Sequence, residues 1–226
     1  MAVQHGKPGE WAKVRGTVMS MWPVFLSCVL LGAFAAACLL GSKRVLFGTL
    51  FLVSLIVALA LLRKGLYRVE SFFKGARGEE HVAYLLSLLP DSYHVFHDYE
   101  VGVHHVDHVV VGPTGVFAIE TKNWRGRVAL QDGLLAVDGH LPSRSPTAQA
   151  KSEAKAVKNA LDKTGDDLAV VPVLCFASDA YQSMEDEIEK VAVVNAKNLR
   201  DWLLARPDVL SANESKRLVQ LMETSL

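Results

Sequence analysis

Three cysteines, Cys28, Cys38 and Cys175, are all the chain has, and no two of them stand in a CxxC pair. That excludes a disulfide framework and a zinc knuckle, and leaves them as small apolar residues of a reducing compartment. No Walker-type loop occurs; the GPTG at residues 112–115 lies between two apolar runs and reads as a hairpin turn. Internal repeats and low-complexity tracts are absent as well. Nor does charge of one sign dominate, since 24 Lys and Arg balance 24 Asp and Glu. Five of the basic residues and one acidic residue precede Arg63, which leaves 19 basic against 23 acidic beyond it. So mild an acidic balance argues against a nucleic-acid-binding surface covering the whole of that part.

Charge itself is missing from residue 16 to residue 42. Residues 18–40 are almost continuously apolar, Lys43 and Arg44 interrupt them, and residues 45–62 form a second run closed by Arg63 and Lys64. A bilayer crossing needs about 20 such residues. Both runs carry the Gly and Ser that helix pairs in lipid use for close approach. Lys7, Lys13 and Arg15 precede the first run, while Arg63, Lys64, Arg68, Lys74 and Arg77 follow the second. The positive-inside rule then expects a two-span anchor with both ends cytoplasmic. A cleaved signal peptide ending at residues 35–37 before Cys38 is the competing reading; the length of the run and the immediate second span stand against it.

The expected organisation is a cytoplasmic N-terminal segment (1–17), a transmembrane hairpin (18–63), a connector (64–74) and an α/β domain (75–226). Within that domain, residues 75–89 repeat apolar side chains at helical spacing, with Val82, Leu85, Leu86 and Leu89 on one stripe. Strands are expected at 93–96, 105–111 and 116–122, the last two joined by the Pro/Gly turn, then at 127–130 and 134–137. Ser145 before Pro146 marks a helix start, with Ala150, Ala154, Val157 and Leu161 facing inward. Strands at 170–177 and 191–194 and helices at 198–205 and 211–222 complete a mixed sheet flanked by helices.

Chemistry enters through the hairpin register. With Pro113 and Thr114 at the turn, opposed residues carry numbers that sum to 227, so Asp107 is expected to face Glu120 and His105 to face Lys122. Directly opposed Cβ atoms lie about 4.5–5.5 Å apart, where like charges repel. Residues two apart share a strand face, which puts Lys122 beside both acids. Two carboxylates held together in apolar strands invite a hard divalent cation, Mg²⁺ or Mn²⁺, able to polarise a phosphoryl oxygen and activate water. The neighbouring lysine suits a role in orienting that water. On the preceding helix, Glu79 lies about 70° from the middle of the apolar stripe and Glu80 about 170°, so Glu79 is the one expected to join them. The competing reading is an ordinary surface salt-bridge cluster.

Beside the lysine, Trp124, Arg125 and Arg127 offer a stacking ring and two guanidiniums for a nucleic-acid strand. Residues 122–158 hold seven basic side chains, Lys151 among them, against three acidic; residues 162–189 hold one Lys against eight acids and read as a solvated or partner-facing edge. Five histidines fall between His94 and His108, but His105 and His108 point to opposite strand faces and no cysteine joins them. Hydrogen-bonding roles are expected for them rather than a zinc site.

The segments GARGEE (75–80), HHVDHVVVGPTGVFAIETKNWRGRV (104–128) and SPTAQAKSEAKAV (145–157) resemble the NERD, or nuclease-related, domain. That family is assigned to the PD-(D/E)xK nuclease-like superfamily. The resemblance implies a restriction-endonuclease-like fold, metal ligation by Asp107, Glu120 and Glu79, and Lys122 as catalytic lysine. Gln149 matches the glutamine at the start of a later helix, on the nucleic-acid side. The expected partners are the lipid bilayer, from the apolar runs, and DNA, with a second copy of the chain as a further candidate and, without a Walker-type loop, no nucleotide cofactor. The expected function is a membrane-anchored, Mg²⁺- or Mn²⁺-dependent nuclease; the alternative is a non-catalytic nucleic-acid-binding or membrane scaffold module that keeps the fold.

Overall fold

The computed structural model describes residues 1–40, 44–162, 168–179, 181 and 187–224. Lys43 of the expected inter-span turn and much of the expected acidic edge lie outside those residues. The chain forms two compact units, one of Met1–Glu10 with Gly75–Leu226, the other of Trp11–Lys74.

The second unit is drawn from two long helices, α1 (Glu10–Leu40) and α2 (Arg44–Ser87). Both are long and apolar enough to cross a membrane, with mean hydropathies of 2.1 and 2.8 over their most apolar windows. Almost none of those windows is buried; Val18, Trp22, Phe25, Val53 and Ile56 all face outward. Glycines mark where the helices meet. A Cβ at Gly65 would stand 2.8 Å from the Ser20 carbonyl oxygen, and one at Gly16 would run into the Phe72 ring. As residue numbers rise on one helix they fall on the other, so the pair is antiparallel. The helix expected to start at residue 75 is instead the last stretch of α2. No proline interrupts residues 44–87, and a mid-helix glycine such as Gly75 costs only about 1 kcal/mol.

In the first unit a seven-stranded mixed sheet has the order β1-β2-β3-β4-β7-β9-β8. Its strands are β1 (Val3–His5), β2 (His94–Val101), β3 (His104–Gly112), β4 (Gly115–Lys122), β7 (Val170–Phe176), β8 (Glu187–Ile188) and β9 (Val191–Asn195). A separate hairpin pairs β5 (Val128–Gln131) with β6 (Leu134–Val137). The central strands alternate between two helical layers, as a sheet buried on both faces must. Val110, Phe117 and Ile119 pack with Val82 and Leu86 of α2 and with Leu199 and Leu203 of α4 (Ala196–Leu204). Val109, Val111, Val116 and Ala118 pack with Ala154, Val157 and Leu161 of α3 (Pro146–Leu161) and with Leu218 and Met222 of α5 (Ala212–Glu223). Ser145 caps α3 by accepting the Ala148 N–H, with Pro146 following as expected, and Ser211 and Glu214 close a capping box on α5.

Two features were not expected from the sequence. The N-terminal residues belong to this sheet: β1 pairs in parallel with β2, Val3 opposite His94. A Cβ at Gly9, whose φ is +71°, would stand 2.9 Å from the Ala76 Cβ. Three residues carry too little periodicity to announce a strand. β2 also continues past Phe96 to Val101, because backbone pairing with β3 holds His97–Val101 where side-chain alternation is weak. Deleting residues 2–9 of the full chain is therefore expected to bare the β2 edge, lower the Tm of the α/β unit and promote aggregation. Thermal melts and light scattering on the detergent-solubilised chain check this; an unchanged melt refutes it.

Candidate functional site

Asp107 stands where β3 and β4 cease to pair. The register predicted from the turn holds from Gly112↔Gly115 to His108↔Ile119, and the ladder ends there. Beyond it β4 follows β7 (Glu120↔Leu174, Lys122↔Phe176) while β3 follows β2 (Val106↔Tyr99, His105↔Glu100). The expected direct pairings of Asp107 with Glu120 and of His105 with Lys122 do not form. In their place the Asp107 carboxylate accepts the Thr121 N–H at 2.7 Å, so a side chain satisfies a buried amide that the ladder has left. His105 turns to Asp98, Nε2 3.3 Å from Oδ1.

From the sheet side, the Lys122 ammonium donates to the Glu120 carboxylate. It also donates to Gln149 Oε1 at 3.1 Å, and Gln149 Nε2 donates to Glu153 Oε1 at 2.9 Å. Gln149 and Glu153 are one turn apart on α3, so a single helix face delivers both. From the opposite layer comes Glu79, on α2. A Cβ at Gly78 would stand 2.6 Å from the Asn123 Cβ, so that glycine lets the helix lie against the end of β4 and bring Glu79 to the fork. Gly78→Ala is expected to lower the metal-dependent activity proposed below by at least about tenfold, with a stability loss of about 1–3 kcal/mol from overpacking. Parallel rate and denaturation measurements decide it; native activity in a folded variant refutes it.

Four carboxylates thus share one interior. Glu79 and Asp107 are each 9% exposed, Glu153 4% and Glu120 3%. Among the described residues, Oε2 of Glu79, of Glu120 and of Glu153 is buried with no hydrogen-bond partner. Burial, then Asp98 and Glu120, push the Glu79 carboxyl up to about 7. Burial and the neighbouring Glu120 raise Glu153 to about 9. Asp107 is held well above the usual carboxylate range by burial, Glu120 and Glu79, against the pull of the Thr121 amide. For Lys122, burial favours the neutral amine, but Glu120 overrides it and keeps the ammonium above its ordinary value. A surface salt-bridge cluster would show none of this crowding.

Such a set suits a hard divalent cation. The donors are all carboxylate oxygens, three of them are buried without a hydrogen-bond partner among the described residues, and one lysine cannot balance four acids. Glu79, Asp107 and Glu120 are the ligands the sequence led one to expect, with Glu153 beside them. Among the described residues no three donors are yet gathered as a formed coordination shell. Lys122 stands instead against Glu120 as its counter-charge.

Sequence reasoning missed two acids of this neighbourhood. Asp98 lies in the part of β2 read as loop, at a φ of +51° that Asp tolerates better than most residues; nothing local signals it. Its Oδ2 accepts the Glu10 N–H at 2.8 Å. Glu153 did carry a signal, the four-residue spacing from Gln149.

Of the other predicted residues, Gln149 meets the acids through Glu153. Trp124, expected as a stacking ring for a nucleic-acid strand, packs edge-on against Phe176, centroids 5.6 Å apart. Arg125 and Arg127 are exposed on the following turn. Lys151 lies 3.7 Å from Glu189, and Gln149 faces the lysine of the site. Among the histidines, His97 donates from Nε2 to Gln4 Oε1 at 2.6 Å, so its Nδ1 accepts from His108 Nδ1 at 2.8 Å. Burial holds both rings neutral, His97 down to about 4.

Residues 74–177 match the family model of the nuclease-related domain, NERD, a stretch that takes in Glu79, Asp107, Glu120, Lys122, Gln149 and Glu153. An uncharacterized protein of Bacillus anthracis is 43% identical over 60 residues, covering 24% of this chain and 28% of that protein's length. The crystal structure of protein VC1899 from Vibrio cholerae aligns with 96% of this chain and 55% of its own, at 12% identity and a TM-score of 0.27.

Proposed function

We propose that the protein is a membrane-anchored, Mg²⁺- or Mn²⁺-dependent phosphodiesterase acting on DNA. The observation that carries this reading is the set of three partnerless, buried carboxylate oxygens around Lys122, inside the segment that matches the nuclease-related domain. Asp107, Glu120 and Glu79 would hold the cation. A cation held there supplies Lewis acidity to a phosphoryl oxygen and lowers the pKa of a bound water. Lys122, kept charged by Glu120, orients the attacking water and offsets charge that develops on the phosphate. Gln149 holds the ammonium from the other side. Dry walls around the acids strengthen each of these interactions.

Anchoring is supported by the two long apolar helices, whose outward Val, Ile, Phe and Trp side chains are costly in water and satisfied in lipid. Both termini then lie in the cytoplasm by the flanking charge. Because residues 1–10 are part of the α/β unit, the test uses the full chain in detergent. It is incubated with single-stranded, duplex and branched DNA in Mn²⁺ or in EDTA. Cleavage that requires the cation is expected. No cleavage of any substrate overturns the reading and favours a binding module that keeps the fold.

A further inference from the structure

Along α3 from the acids runs a groove of about 460 Å³, lined by Val101, Gly102, Val103 and His104 of the β2–β3 turn and by Ser152, Lys155, Ala156, Asn159 and Ala160 of the helix. Among the described residues no carboxylate lines it. Its single full cation, Lys155, is exposed and makes no ion pair or hydrogen bond among the described residues, whereas its helix neighbours Lys151 and Lys158 lie against Glu189 and Asp162. Ser152, Asn159 and His104 add hydrogen-bonding side chains. At the rim Val103 is 97% exposed, an apolar side chain carried into solvent on the tip of a two-residue turn.

The groove and the fork draw on the same two elements, β3 and α3. His104 precedes Asp107 by three residues of one strand, about 10 Å at 3.3 Å per residue. Ser152 adjoins Glu153, and helical phase puts Ala160 within about 20° of Glu153 and two turns further along α3. A cavity of this size takes one or two nucleotide units. It is too small for a duplex, whose major groove alone is about 12 Å wide.

We infer that this groove is the track for a single strand of nucleic acid leading to the site, with Lys155 on a phosphate, Ser152, Asn159 and His104 on the backbone, and Val103 against a base. The inference deepens the nuclease reading and rests on it for direction, while binding is measured apart from cleavage. The probe is a fluorescein-labelled oligodeoxythymidylate titrated with the full chain in detergent and EDTA, followed by anisotropy. Lys155→Glu is expected to weaken binding at least about tenfold, and Lys155→Ala to reduce the slope of log affinity against log salt by about 0.7, one single-strand phosphate contact. Val103→Asp weakens binding too, and Lys158→Glu, outside the groove, serves as the charge control.

Unchanged affinity in Lys155→Glu and Val103→Asp overturns the inference, and with cation-dependent cleavage intact it leaves the nuclease reading standing. Equal loss in Lys158→Glu also overturns it, since general helix charge then explains the effect. So does equal sensitivity of a hairpin duplex of the same length. Selective loss of single-strand binding by a chain that never cleaves supports the groove and sinks the nuclease instead.

Discussion

Replacing Lys122 by methionine is expected to lower cation-dependent DNA cleavage by about 10²–10³-fold, the range seen when one charge-stabilising donor is removed from a reacting centre. Methionine keeps an unbranched stem, so the change isolates the ammonium. Two consequences separate this loss from simple unfolding. Lys122→Met takes from the 3%-exposed Glu120 the ammonium that faces it, and the metal-free variant should melt earlier, by an amount set by the about 3–5 kcal/mol typical of breaking such pairs. Divalent cation should then restore much of the melting temperature, because it replaces the lost positive charge, while cleavage stays low. Asp107→Asn is expected to do the reverse: slight stabilisation of the metal-free chain by relief of repulsion, weakened Mn²⁺ binding and a comparable loss of turnover. Cleavage within a fewfold of native in Lys122→Met removes the lysine from the mechanism.

Stability of the metal-free chain should fall as pH rises, opposite to the usual behaviour of paired carboxylates. Glu79 titrates at about 7 and Glu153 at about 9 in the folded protein, each raised from a reference of 4.5. Between the reference value and the raised one, the folded chain holds protons that the unfolded chain has released. Stability therefore declines from about pH 4.5 through about 7 for Glu79 and onward through about 9 for Glu153. Denaturant titrations in EDTA are expected to show the α/β unit more stable near pH 5.5 than near pH 8.5, by a few kcal/mol in order of magnitude. Mn²⁺ binds the deprotonated acids, so it should stabilise most at the alkaline end, by about 2.7 kcal/mol at a hundredfold excess over Kd. A flat pH profile, or equal stabilisation by Mn²⁺ at both pH values, refutes the crowded-acid account. Glu153→Gln should flatten the alkaline half of the profile while leaving the Glu79 half in place.

Much of the site was legible because its signals are local. Pro113, Thr114 and the flanking β-branched runs determine a hairpin whose register needs no other information, and the observed pairs obey it to His108 and Ile119. Helical phase separated Glu79, which is buried, from Glu80, which is half exposed. Ser145 and Pro146 announced α3, and the charge-free runs announced the two apolar helices. The same periodicity failed where one strand trades partners. Nothing in residues 104–107 or 120–122 says that β3 stays with β2 while β4 stays with β7.

For Asp107, Glu120 and Lys122, then, residue order alone assigned the strands that hold them and picked Glu79 as the buried acid of α2. Tertiary structure decided how they meet. It opened the fork and placed Asp107 on the Thr121 amide; it set Glu153 behind Gln149 and brought Asp98 and the first ten residues alongside. The division has a physical cause: turn, cap and face preferences are set by neighbours within a few residues, whereas the end of a ladder and the crowding of acids from opposite layers depend on contacts between residues dozens of positions apart.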